Sequence, residues 1–156
     1  MKLRIVALGH RMPRWVSEGY EEFAKRLPRE YALELVELKP EARERGRNVA
    51  QMLAAEAKRI EAACAGHRIV ALDEHGAAWT TEDLAERLRK WRDGNETIAF
   101  VVGSADGLDV ALKSKAASVV VALSAMTLPH GLARILLAEQ IYRATTLLVG
   151  HPYHRG

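Results

Sequence analysis

A chain of 156 residues, 49% hydrophobic and 28% charged, has the size for one compact domain, and apolar residues spread along its whole length exclude a disordered chain. Its 23 basic and 20 acidic residues leave a net charge of +3, which permits a polyanionic partner without demanding one. The single cysteine, Cys64, excludes an intramolecular disulfide and a cysteine-rich zinc site, and no segment reaches the roughly 18 uninterrupted apolar residues of a membrane span.

LRIVAL (3–8) is too short for the core of a secretory signal and is soon followed by charge, so it reads as a buried first strand of a cytoplasmic chain. A helix is expected after Pro13, with Val16, Tyr20, Phe23 and Leu27 at helical spacing. YALELVEL (31–38) alternates only loosely, as a strand near a sheet edge does. Asn48 fits an N-cap, and Val49, Met52, Leu53 and Ile60 form the expected buried stripe of a second helix. Near its end, Cys64 in AACAG reads as a small buried filler.

RIVAL (68–72) is the next strand, and Thr80 with Asp83 has capping-box spacing before the stripe Leu84, Leu88 and Trp91. IAFVV (98–102) and SVVVAL (118–123) are wholly apolar, as strands covered on both faces are, and LDVALKSKA between them fits a short helix. A last helix starts near Pro129 and carries Leu132, Ile135, Leu136 and Tyr142. Trp15, Trp79 and Trp91 read as packing residues. Two basic groups, Arg11, Arg14, Lys25, Arg26 and Arg29 and then Arg43, Arg45 and Arg47, suit a solvated surface and a polyanion contact equally.

Strands alternating with helices, without repeat or linker, give a single three-layer α/β domain over 1–156 around a mostly parallel sheet. Ligands of such sheets bind beyond the carboxyl ends of the strands. That rule points to residues 9–11, 73–76, 103–107 and 124–130.

The first of these turns, LGHRMP, has one glycine, and no Walker lysine follows any strand, which argues against dinucleotides and nucleoside triphosphates. In VVGSADGL (101–108), Gly103 follows a buried strand, where a missing side chain lets a ligand approach the backbone. An ordinary turn accounts for Gly107 equally well, and Asp106 reads as a cap for a helix beginning at Leu108. Ser124, Ala125 and Thr127 are small or polar just after a core strand. A loop of that kind can bind an adenine through main-chain groups.

The segment ALSAMTLPHGLARILLAEQIYRA (122–144) with the terminal HPYHRG (151–156) resembles the RlmH family, the smallest SPOUT-class knotted RNA methyltransferases. KLRIVALGHRMPRWV, RIVALDEHG and the glycine loop extend the resemblance over the whole chain, and the Leu-Pro-His step and HPYHR tail are its specific parts. It implies an α/β-knot fold with a C-terminal trefoil knot, and an obligate homodimer with each active site at the subunit interface. The implied reaction carries a methyl group from S-adenosylmethionine to N3 of a pseudouridine, in a hairpin of large-subunit rRNA within the assembled 70S ribosome. Carried onto this chain, the family's cofactor loops are Leu72, Gly103, and the run Ala122, Leu123, Ser124, Ala125, Met126 and Thr127. The family more often has Gly-Gly-Pro-Glu-Gly where this chain has Gly103-Ser104-Ala105-Asp106-Gly107. It also ends more often in a charged residue than in Gly156.

Methyl transfer from a sulfonium is a direct displacement, so alignment is the protein's main contribution. The imide proton on N3 must be removed, or the anion left behind stabilised. His154 and His130 are both candidate bases, and the residues do not choose between them; a structural hydrogen bond explains His130 as well. Tyr153 suits stacking on an exposed base, and Arg155 a phosphate or the developing imide charge. Arg143 has the spacing to pair with Glu139 on the helix, a role as good as an RNA contact. No metal is expected, since His151 and His154 have no further ligands nearby. Two other readings compete: a ribosome-binding factor without catalysis, and a small phosphate-ester enzyme, which lacks a nucleophile motif.

Overall fold

The structure is a computed structural model that describes every residue except 43–45, 116–118 and 156. Arg43, Arg45, Ser118 and Gly156, named above, lie outside the described residues.

In chain order the elements are β1 (Lys2–Leu8), α1 (Arg14–Ala24), β2 (Leu33–Leu38), α2 (Val49–Ala63), β3 (Arg68–Ala78), α3 (Thr81–Asp93), β4 (Thr97–Val102), α4 (Val110–Lys115), β5 (Val120–Ala122) and α5 (His130–Val149), with 3-10 turns at Arg29–Tyr31 and Pro152–Arg155. The five strands form one sheet in the order β2-β1-β4-β3-β5, every pairing parallel. Successive side chains of a strand point to opposite faces, so an apolar run feeds two cores. Leu3, Ile5, Ile98, Phe100 and Val102 pack with Tyr20 of α1, Leu84, Leu88 and Trp91 of α3, and Leu137 and Ile141 of α5. Val6, Leu8, Ala99 and Val101 face Ala57 and Ile60 of α2, Cys64 just past its end, and Leu112 of α4. The three-layer α/β arrangement expected from the pattern is therefore present. Burial raises the Cys64 thiol to about 11, so it serves as a filler with no thiolate at neutral pH.

The helix starts follow the local chemistry. Asn48 and Thr80 each accept from the backbone N–H of their third helical residue, while Gln51 and Asp83 return the bond to the cap's own N–H. Strand β2 lies at one edge, as its loose alternation predicts.

Several expectations are corrected. Val49 is not in the buried stripe of α2; it is 47% exposed, and Glu56, buried to 2%, completes the stripe with Met52 and Ile60. Trp15 is 56% exposed and does not pack in the core, unlike Trp91, which Trp79 and Phe100 flank at 6.4 and 6.1 Å. The inward stripe of α5 is Arg134, Leu137, Ala138, Ile141, Ala144 and Thr145, whereas Leu132, Ile135, Leu136 and Tyr142 are half-buried. That helix is apolar nearly all round, so periodicity could not pick its inward face.

Strand β3 also runs six residues past its expected end. Ala71 and Leu72 pair with Val120 and Val121, Asp73 to Gly76 leave the ladder, and Ala77 and Ala78 rejoin β5 at Val121 and Ala122. A Cβ on Gly76 would lie 2.7 Å from the Val121 nitrogen, so the excursion hugs the β5 backbone.

Strand β5 lies at the far edge from β2, yet Arg134, one turn into α5, reaches Gly9, at the carboxyl end of β1. Residues 123–129 therefore run back over the carboxyl ends of the intervening strands.

Replacing Leu88, fully buried between α3 and the sheet, with Ala is expected to cost about 2–5 kcal/mol. Val49→Ala is expected to change stability by less than about 0.5 kcal/mol. Chemical denaturation of the two variants checks the contrast, and equal losses would contradict the assignment of faces.

Candidate active site

The segment returning over the rim, the Asp73–Gly76 excursion and the turn after β4 enclose a cleft of about 740 Å³ at the carboxyl ends of the strands. Its walls include Leu72 to His75, Val102 to Leu108, Lys113, Leu123, Ser124, and Met126 to His130. A second, narrower cavity of about 270 Å³ adjoins it on the α3 and α5 side, sharing Leu72 and Leu123 and lined also by Trp79, Phe100, Ala122 and Gln140.

The glycine loop is a tight turn. The Gly107 N–H donates to the Ser104 carbonyl at 2.9 Å, and a Cβ on Gly103 would lie 2.6 Å from the Gly107 oxygen, so only glycine fits there. The following helix is capped by Asp109, whose carboxylate accepts from Ala111 N–H at 2.8 Å and Leu112 N–H at 3.2 Å. The expected cap, Asp106, instead stands exposed at the cleft wall, because α4 begins two residues later than Leu108.

Charge lines the cleft in pairs. Burial alone would raise the Asp73 carboxyl, but the His75 N–H at 2.8 Å and the Lys113 ammonium at 2.9 Å outweigh it and hold it below the usual carboxylate range. The Thr127 hydroxyl donates to Glu74, and the Met126 N–H donates to Ser124 Oγ at 2.9 Å, which folds the returning segment against the β3 excursion. His130 opens α5 at the cleft's edge. Desolvation lowers its pKa, and the nearby Arg134 guanidinium lowers it further, so the imidazole is neutral at neutral pH.

Arg134 is itself 2% exposed, paired to Glu37 at 2.7 Å and donating to the Gly9 carbonyl at 3.3 Å. It anchors the start of α5 to the carboxyl ends of β1 and β2.

Of the residues expected at the cofactor, Leu72, Gly103, Leu123, Ser124, Met126 and Thr127 line the cleft; Ala122 lines only the narrower cavity and Ala125 neither. Of the four expected catalytic residues only His130 is there. Tyr153, His154 and Arg155 form the 3-10 turn that folds back along α5. The Tyr153 hydroxyl donates to Glu139 at 3.2 Å, and its ring lies 4.6 Å from that of Tyr142. Glu139 is nine residues beyond His130, roughly 14 Å of helix rise away, so the tail does not meet its own chain's cleft. Burial and the Glu139 carboxylate raise the Tyr153 phenol, keeping its proton in place. His154 turns Nδ1 inward, buried with no hydrogen-bond partner among the described residues. Arg143 pairs with Glu139 at 2.8 and 2.7 Å, the structural option of the two expected for it.

Sequence reasoning pointed to the segment holding Asp73 and Glu74 without giving either a role, and it did not select Lys113 or Glu56. The first two stand directly after a core strand, and Glu56 is a charged residue in an apolar helical register; Lys113 carried no signal. Among the described residues no group of three or more His, Cys, Asp or Glu could hold a metal ion, and no helix is long and apolar enough to cross a membrane.

A family model described as "Predicted SPOUT methyltransferase" matches residues 1–154. The chain belongs to this methyltransferase family. Within it, the chain is 55% identical over 158 residues to a protein of Nitrosospira multiformis named ribosomal RNA large subunit methyltransferase H, with both chains covered in full. Proteins of the same name from Burkholderia ambifaria and Burkholderia cenocepacia are 53% and 52% identical over 157 residues, again with full coverage of both chains. The resemblance to the RlmH family is thus borne out, and the parallel α/β sheet described above is the SPOUT fold of this chain.

Folding lowers the His130 pKa below the 6.5 of a free imidazole, so the folded state favours the neutral ring. Its contribution to stability is full above 6.5 and is lost as pH falls through the lower folded value. A proton NMR titration is expected to give His130 a midpoint below 6.5; a midpoint at or above it would contradict the burial described.

Proposed function

We propose that this protein transfers a methyl group from S-adenosylmethionine to N3 of a pseudouridine in a hairpin of large-subunit rRNA on the assembled 70S ribosome. The observation that carries this reading is the cleft itself, walled by the β3 excursion, the glycine loop and the returning segment in a chain of the methyltransferase family. The named relatives, ribosomal RNA large subunit methyltransferases, support the choice of substrate. In this reading the protein works in the cytoplasm as one catalytic domain, with its C-terminal part threaded as a trefoil knot.

The residues present fit the donor. The cleft volume is that of a small-molecule site. The bare backbone at Gly103 admits close approach, and the carboxylates of Glu74 and Asp106 stand on the cleft wall beside the Asp73–Lys113 pair, where they favour a cation. Leu72, Gly103 and Ala122 to Thr127 would hold it. When bound, S-adenosylmethionine supplies an electrophilic methyl group on a sulfonium.

The remaining work falls to groups on this chain. The imide proton passes to His130 or His154; the neutral state of His130 at neutral pH suits it to accept one. Tyr153 stacks on the target base, and Arg155 holds a phosphate or the imide charge. Because the tail does not meet its own cleft, it completes the cleft of a second copy, and the active unit is a homodimer. The half-buried Leu132 and Leu136 on α5 support such a pairing.

Deleting residues 153–156 is expected to abolish methyl transfer to 70S ribosomes while sparing the dimer and the binding of S-adenosylmethionine. Radiolabelled methyl incorporation, light scattering and calorimetric titration read the three properties separately. Full activity of the truncated protein would sink the role given to the tail.

A further inference from the structure

Glu56 is a carboxylate buried to 2% in the apolar stripe of α2, where Leu or Met would pack without the desolvation a carboxylate suffers. Its two oxygens serve two different loops. Oε2 accepts from the Glu41 backbone N–H at 2.8 Å, in the loop between β2 and α2, and Oε1 accepts from the Ser104 hydroxyl at 3.1 Å, in the glycine loop.

Ser104 is only 8% exposed, and its hydroxyl points down into the protein while Ala105, Asp106 and Gly107 stand exposed above it. Gly103 and Gly107 carry no side chains, Gly107 is in the left-handed region at φ +87°, and a backbone bond from Gly107 N–H to Ser104 O crosses the turn. A turn so permissive needs a fixed point beneath it, and the Ser104–Glu56 bond supplies one on the side away from the cleft.

We propose that Glu56 and Ser104 are positioning residues for methyl-donor binding: the buried carboxylate sets the ligand-receiving shape of the glycine loop and fastens it to the β2–α2 loop. The inference rests on the donor reading of the cleft. It concerns the serine with which this chain departs from the Gly-Gly-Pro-Glu-Gly pattern, and it gives that departure a task.

The test compares the wild type with Ser104→Ala, Glu56→Gln and Glu56→Leu in calorimetric titration with S-adenosylmethionine, thermal melting, and amide exchange at Gly107 without ligand. Ser104→Ala and Glu56→Leu are expected to weaken donor affinity about 5- to 30-fold and to speed Gly107 exchange similarly, the range for a lost hydrogen bond that leaves a buried partner unmet. Glu56→Gln keeps both ties, its carbonyl accepting from Glu41 N–H and its amide donating to Ser104. It is expected to stay within about threefold of the wild type. A purely structural role for Glu56 would instead lower the melting temperature and leave affinity per folded molecule unchanged.

If Glu56→Leu does not fold, Ser104→Ala and Glu56→Gln decide the matter. A wild type that binds donor together with an equally tight Ser104→Ala overturns this inference alone. A wild type that binds no donor overturns the donor reading and this inference with it.

Discussion

A guanidinium with almost no access to water fixes where the last helix begins, and the functional end of the molecule follows from that. Arg134 pairs with Glu37 on the edge strand and reaches the Gly9 carbonyl at the end of β1. A buried cation of this kind must be held by charge and by hydrogen bonds, or its desolvation goes uncompensated. Because β5 sits at the opposite edge, the chain can satisfy Arg134 only by crossing the sheet's upper rim between residues 123 and 129. That crossing forms one wall of the cleft and sets His130 at its edge. Packing and catalysis geometry thus share one electrostatic anchor.

Much of the fold was legible because parallel strands covered on both faces leave a strong mark. LRIVAL and IAFVV are apolar without interruption, and each turned out to feed two cores by simple alternation. Asn48 and Thr80 announced their helices through side chains that can reach the third residue's N–H. The failures have physical causes too. DEHG reads as lying beyond the end of the strand RIVAL, and the excursion it makes is only an interruption, since Gly76 lets the backbone return to β5. The face of α5 was ambiguous because apolar residues surround its axis. Trp15 and Val49 are apolar residues that this chain leaves in water, and pattern alone assigned them inward.

The candidate site was legible to a different degree. Position after a parallel strand singled out the three loops that meet in the cleft, and the resemblance supplied which backbone positions matter. What the sequence could not convey was distance: His130 and His154 stand as equal candidates for one base, yet the tail folds back along α5 and stays away from the cleft of its own chain. Glu56 was hidden in plain view, since a lone acid at an apolar helical position had been passed over in favour of its neighbours. The anomaly in register was the signal.

The uniform direction of the strands has a practical side. With all five running the same way, the opposite rim gathers the strand beginnings, where the Met1 ammonium donates to Asn95 and Arg68 pairs with Glu96 at 2.9 Å. Strand β1 spans seven residues, which sets that rim about 20 Å from the cleft. An affinity handle, fluorophore or fusion partner joined ahead of Met1 would therefore hang from the pole opposite the cleft, whereas the same attachment after Gly156 would extend the tail for which a contact with the target base is proposed.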